Sequence, residues 1–200
     1  MLLKDITSKS RPAILSPLQI KCTDSICEDG LHCFLKSKKM KIDDKGKCRS
    51  CGIDLIDWSR VHKKNIDDVI FTFNMLKKEL VRHVYWHTKI DQKAINHALR
   101  KGRMKLRVAA EKRIRKYIAN KKNFREGIQT PKDGNIIFYS QHATPCCCRK
   151  CMEYWHGIPQ NTLLTEEQIQ YFVELMMLYI NDRLKGLSEN GIYVPRIVNN

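Results

Sequence analysis

The stretch His142-Ala-Thr-Pro-Cys146-Cys147-Cys148-Arg-Lys-Cys151-Met-Glu-Tyr-Trp155-His156-Gly-Ile-Pro159 decides how the chain is read. It places six potential metal ligands, His142, Cys146, Cys147, Cys148, Cys151 and His156, within fifteen residues. Core packing gives no reason for that density, whereas a metal ion does. Cys148-x-x-Cys151 is a common pair of thiolate ligands, and Cys147 and Cys151 share a face if the segment is helical. Any of Cys146, Cys147 and Cys148 can supply a further thiolate, so the ligand roster stays open. Four protein ligands would make a structural site, and three would leave a position for a catalytic water.

A second cluster lies toward the N-terminus: Cys22, Cys27, His32 and Cys33, then Cys48-Arg-Ser-Cys51-Gly52. The two clusters hold all nine cysteines. Cys48 and Cys51 put two thiolates on one tight turn, where Gly52 lets the backbone fold toward the sulfurs. For the other half the spacing favours Cys27 with Cys33, and Cys22 or His32 stand in reserve. So small a segment has little apolar mass, and a closed four-ligand site would contribute its folding energy without chemistry. The lysines at 36, 38, 39, 41, 45 and 47 punctuate an expected short hairpin.

Between the clusters the pattern is helical. From Ile66, with Asn65 or Asp67 as cap, Val69, Phe73, Leu76, Leu80 and Val84 fall three or four apart on one face. A second helix is expected from Asp91 to Lys101, broken at Gly102. A third runs from Met104 to Lys121 with Leu106, Ala110, Ile114 and Tyr117/Ile118 as its apolar stripe. Ile136-Ile137-Phe138-Tyr139 is β-prone and reads as a short strand. Thr165-Glu-Glu-Gln168 matches a capping box, and Ile169, Phe172, Val173, Met176, Met177 and Ile180 form the apolar face behind it. The expected fold is mainly α. It has an extended arm over 1–20, a zinc-ribbon-like β module over 21–60, a helical domain over 61–185 with a second zinc site on its Cys/His motif, and a tail over 186–200.

The formal net charge is +16, and between Lys89 and Arg125 fourteen bases meet two acids. Such a stripe attracts polyanions, chiefly nucleic acid, by counterion release and long-range steering. Arg100, Lys101, Arg103, Arg107, Arg113 and Lys116 are the expected phosphate contacts, which set affinity without sequence choice. The apolar runs fall short of a membrane span, and the first residues lack the pattern of a signal peptide. The expectation is a cytoplasmic protein with reduced thiols, so clustered cysteines argue for two Zn2+ ions rather than disulfides.

Catalytic motifs are scarcer. Glu79, His83 and His87 stand four apart and form a candidate metal or acid–base row. Zinc deaminases need His-x-Glu followed by Pro-Cys-x-x-Cys, and His142-Ala-Thr144 lacks the Glu. The His-Glu-x-x-His of metalloproteases is absent from the sequence. The leading expectation is therefore a zinc-binding accessory protein that contacts DNA or RNA. Behind it stand a metal-dependent hydrolase at an open metal site, with a nuclease as one form of it, and a protein–protein adaptor.

Six blocks carry a family resemblance: Cys48-x-x-Cys51-Gly, Asp57-Trp-Ser-Arg-Val-His62, Arg82-His83-x-Tyr-Trp-His87, Asn96-His97-Ala-Leu-Arg-Lys-Gly102, Gln129-Thr-Pro131 and Gln141-His-Ala-Thr-x-x-Cys-Cys-Arg-x-Cys-x-x-x-Trp-His-Gly-Ile-Pro159. Over about residues 45–183 they resemble a prokaryotic family defined as a domain of unknown function. The resemblance implies that His142, Cys147, Cys148, Cys151 and His156 belong to the family's motif, and it draws in His83 and His87. Pro145-Cys146 departs from the small residues expected there, which makes Cys146 the weakest ligand candidate of its triplet. No activity comes with the resemblance.

Overall fold

The computed structural model describes residues 19–36, 40–123 and 127–195. The arm expected over 1–20 lies, up to residue 18, outside the described residues. Among the described residues there are seven α-helices, in order α1 (Trp58–Lys63), α2 (Val69–Leu76), α3 (Leu80–His87), α4 (Gln92–Tyr117), α5 (Ile136–Ala143), α6 (Arg149–His156) and α7 (Glu166–Arg183). Short 3-10 turns at Cys27–Asp29, Ile42–Asp44 and Ile66–Asp68 complete the regular structure.

Helix α7 is the axis of the fold. The capping box forms as the sequence requires: the Thr165 hydroxyl accepts from Gln168 N, and the Gln168 side chain accepts from Thr165 N. Beyond it the buried face is wider than the expected stripe, taking in Tyr171, Leu175 and Tyr179 as well. So wide an apolar face belongs inside, and α7 packs against α2, α4 and α5, with Glu167, Asn181 and Asp182 left on its exposed side.

Helix α4 breaks where glycine predicts. Gly102 has φ 66° and ψ 173°, a conformation open essentially to glycine alone. The amides freed there are satisfied by the C-terminal segment: Arg103 N donates to Ser188 O at 2.9 Å and Met104 N to Glu189 O at 3.1 Å. Ile192 N then donates to Leu99 O. The described part of the tail is therefore folded across the break, and residues 196–200 lie outside the described residues.

Three expectations are corrected. The continuous helix expected from Ile66 through the histidines is interrupted, because Lys78 O and Leu80 N pair with the backbone of His32 at 2.8 and 2.9 Å. That contact pulls Glu79 into an extended conformation (φ −94°, ψ 127°) and starts α3 afresh. The β-prone run at 136–139 is helical instead. Asn135 caps it by accepting from Ile137 N, and α3, α4 and α7 enclose the resulting α5. Burial between helices overrides β-propensity there, and among the described residues no strand lies alongside to pair with it. Finally, the N-terminal module contains no strand among its described residues. It has two isolated bridges, Ile26 with Leu31 and His32 with Glu79. The second joins the module to the helical domain instead of closing a hairpin of its own. Residues 37–39 of that expected hairpin lie outside the described residues.

The module also shares the main core. Phe34, Trp58 and Trp155 of α6 pack edge to face or tilted, with ring centroids 5.1–6.1 Å apart. Such aromatic contacts add about 0.5–1.5 kcal/mol each beyond area burial.

Candidate metal centres

Among the described residues, two groups of potential ligands come together. In the first, the ligand atoms of Cys27, His32, Cys48 and Cys51 all lie within 4.8 Å of one another. Cys27 and Cys48 sulfurs are 3.8 Å apart, and Cys51 Sγ is 3.6 Å from His32 Nδ1. A tetrahedral ion with bonds of about 2.3 Å to sulfur and about 2.05 Å to nitrogen requires edges of about 3.8 and 3.6 Å. The polypeptide thus holds the corners of such a site. Cys27 opens a 3-10 turn closed by Gly30 at φ 72°, and Cys48 opens a turn closed by Gly52 N donating to Cys48 O at 2.8 Å. Burial opposes ionisation of the Cys48 thiol, but N–H groups of Cys51, Cys33 and Ser50 with the His32 ring outweigh it and lower the thiol to about 6. The turn is wired for a thiolate.

His32 occupies the place that spacing favoured for Cys33. Cys33 sits on the opposite side of the extended segment, where its thiol donates to Cys22 O at 3.2 Å. Adjacent residues of an extended chain point to opposite faces, and the pairing of His32 with Lys78 and Leu80 fixes which one faces the centre.

The second group is Cys147, Cys148 and Cys151, again within 4.8 Å of one another. Cys148 is the N-cap of α6 and Cys151 lies in its first turn, near the positive end of the helix dipole. Thr130 Oγ1 donates to Cys147 O at 2.8 Å, and Gln141 Nε2 donates to Cys146 O at 2.9 Å, so α5 and the preceding loop set the backbone of the triad. The Cys147 bond lowers the Cys151 thiol, but Cys148 and burial prevail and hold it near 12. Three neutral thiols, one buried and two half-buried, are what a metal would ionise.

The structure does not bring the two motif histidines to this triad. His142 Nε2 faces Thr130 O and Pro131 O at 3.0 and 3.2 Å, so it carries the proton and donates, and its ring stacks on Tyr85 at 4.5 Å. The His156 ring is buried against Phe172 at 4.8 Å, and burial pushes it down to about 3. Cys146 is also buried, with its sulfur 3.2 Å from Thr144 Oγ1.

Between the two groups lies a buried polar hub that spacing did not reveal. Glu79 accepts from Arg82 Nε at 2.9 Å, Trp155 Nε1 at 2.6 Å and Tyr154 OH at 2.5 Å. Arg82 donates in turn to His142 O at 2.5 Å and approaches Cys151 Sγ at 3.6 Å. Both charged side chains are almost wholly buried, at 2% and 1% exposed. One side of the hub therefore touches the backbone partner of His32 and the other touches a triad sulfur. The sequence signal available was Glu79 and Arg82 one helical turn apart beside a Tyr-Trp pair, which carries no sign of burial.

Glu79 accordingly faces away from the histidines it was expected to join. His83 and His87 rings lie 4.0 Å apart, and His87 Nδ1 meets His83 O at 2.8 Å. The expected phosphate contacts divide. Arg107 is paired with Glu174 and Arg103 with Glu189 at 3.2 Å. Arg113 bonds Gln141 Oε1 at 3.1 Å and lies over Tyr117. Arg100 and Lys116 are exposed, and Lys101 is half-buried.

These features fall within a defined family. The chain belongs to the family described as "Domain of unknown function (DUF4186)", whose model matches residues 71–181. The matched span includes the Glu79–Arg82 hub and the second group of thiols, and it begins after Cys51, so the first group lies outside it. No solved structure matches the chain.

Proposed function

We propose that this protein is a zinc-stapled accessory factor that holds DNA or RNA on a basic helical face without reading its sequence. The observation that carries the metal half is the gathering of Cys27, His32, Cys48 and Cys51 within 4.8 Å, with the Cys27–Cys48 and Cys51–His32 distances matching tetrahedral edges. Three thiolates and one imidazole suit zinc, and a closed set of four makes the ion structural. In the first centre the ion's role is to fix a strandless segment that has little core of its own, and in the second it is to fix the loop that leads into α6.

The nucleic-acid half is supported by the charge excess between Lys89 and Arg125 and by where the exposed bases fall. Lys105, Lys112 and Lys116 are exposed at a spacing of seven and four, hence on one side of α4. Arg100 before the break at Gly102 and Lys121 and Lys122 beyond the end of α4 are exposed as well. Lysines on a flexible stem make point-charge contacts to phosphates, and each phosphate neutralised adds about 0.9 to the slope of log K against log salt. Replacing Lys105, Lys112 and Lys116 together by Gln is expected to lower that slope on a short duplex by about 2.7. An unchanged slope, or no binding by the wild-type protein at low salt, would remove this half of the reading.

A second reading, a metal-dependent hydrolase, is favoured by the three thiols of the second centre, one ligand short of a closed site. Its sulfur donors count against a nuclease, whose metals prefer oxygen.

A further inference from the structure

We infer that Cys22 is the fourth ligand of the second centre, so that one ion clasps the N-terminal segment to the loop that leads into α6. The inference rests on the reading that Cys147, Cys148 and Cys151 bind zinc, and it says what completes their coordination.

The nine cysteines distribute in a way that leaves Cys22 over. Cys27, Cys48 and Cys51 belong to the first group, and Cys147, Cys148 and Cys151 to the second. Cys33 and Cys146 are fully buried and turned to other partners, the Cys22 carbonyl and the Thr144 hydroxyl. Cys22 is exposed. Of the nearby histidines, His142 donates its Nε2 proton to backbone carbonyls, and His156, whose ring nitrogens lack a hydrogen-bond partner, is fully buried among the aromatic rings of α7 and is not brought to the triad.

Position follows from the backbone. The Cys33 thiol holds the Cys22 carbonyl at 3.2 Å, and the neighbouring His32 pairs with Lys78 and Leu80. Cys22 is thereby tethered beside the start of α3, and Arg82 in the first turn of that helix reaches Cys151 Sγ at 3.6 Å. Cys22, Cys147 and Cys151 lie together within electrostatic range of both Arg82 and Tyr85. The Cys22 sulfur is not within the 4.8 Å grouping of the triad as the chain stands, and an exposed thiol reaches a new staggered rotamer at little cost, so its recruitment begins with a side-chain rotation.

Charge also fits. Zinc with four thiolates is a net anion, and the buried Arg82 guanidinium lies against it. On binding, each thiol gives its proton to solvent and its sulfur lone pair to the ion, and nothing is oxidised. A closed set of four leaves no coordination position for water, which makes this centre structural and removes the open site that a hydrolase would use.

The test is alkylation of the full-length, zinc-loaded protein by iodoacetamide, mapped by mass spectrometry, together with chelator competition on Cys22→Ser. The inference predicts that Cys22, though exposed, is protected with Cys147, Cys148 and Cys151 and that all four become reactive when the metal is stripped. It also predicts that Cys22→Ser still binds two ions but releases one on the order of 100-fold more readily. Rapid alkylation of Cys22 while the other three stay protected would overturn the assignment and leave the second centre standing. Alkylation of all four in protein that carries only one ion would overturn both.

Discussion

Glu79→Gln tests the hub that joins the two centres. The substitution preserves shape and one acceptor oxygen, and removes the charge. Gln Oε1 can still accept from Trp155 Nε1 and Arg82 Nε, and its amide can donate to the Tyr154 hydroxyl. What is lost is the counter-charge of an Arg82 that is 2% exposed. The comparison is made on metal-stripped protein, where no anionic centre lies against Arg82. There, removing one partner of a buried pair costs about 3–5 kcal/mol, because the survivor is left charged and desolvated. For a chain of this size each kcal/mol moves Tm by about 2–4 °C, so a fall of about 6–20 °C is expected. Thermal unfolding followed by circular dichroism reads it, with urea unfolding at unchanged m to show that the loss lies in the folded state. Adding Arg82→Met should recover part of the loss, since the uncompensated charge then disappears. A Tm within about 2 °C of wild type for Glu79→Gln alone would refute the reasoning and mean that water or the thiols satisfy Arg82 without Glu79.

Two further predictions follow from the backbone and from the histidines. A Cβ at Gly102 would stand 2.5 Å from Glu189 O and 2.6 Å from Asn190 O, on a backbone conformation that L-residues avoid. Gly102→Ala should therefore release the 187–192 segment, seen as new proteolytic cleavage there and a Tm loss of several degrees, and a protected segment would contradict this. Burial first, then positive neighbours, lowers His97 and His83 to about 4. The folded chain leaves them neutral where the unfolded chain, near 6.5, takes up protons. Their effect on stability is absent above about pH 6.5 and destabilising as pH falls from there toward 4. His97→Gln should flatten the pH dependence of the unfolding free energy in that window by up to about 1.4 kcal/mol per pH unit relative to wild type. Parallel curves for the two proteins would show that His97 is protonated in the folded state.

The parts of this fold legible in the sequence are those set by local rules. The Thr165 capping box, the broad apolar face behind it and the break at Gly102 each depend on residues within a turn or two, and each is present. What was not legible depends on partners far along the chain. Ile136 to Tyr139 carry a β-prone composition, yet three helices surround them and the run is helical. Leu76 and Leu80 keep helical spacing across a point where Glu79 is extended, because His32, far earlier in the chain, pairs there. That same pairing exchanges His32 for Cys33 in the first centre. The Cys48-x-x-Cys51 half and the Cys147, Cys148 and Cys151 cluster were readable from spacing. The motif histidines were not separable from the ligands, since an invisible contact, His142 to the carbonyls of Thr130 and Pro131, determines what that ring does.

The central claim is two independent metal centres, and the most direct measurement is metal content per chain by mass spectrometry on protein purified without chelator. Two zinc ions are expected for wild type, falling to one in Cys51→Ser and to one in Cys151→Ser, each on a separate group of ligands. Wild-type protein free of metal, or a stoichiometry that neither substitution changes, would contradict the account and leave both clusters as packed thiols.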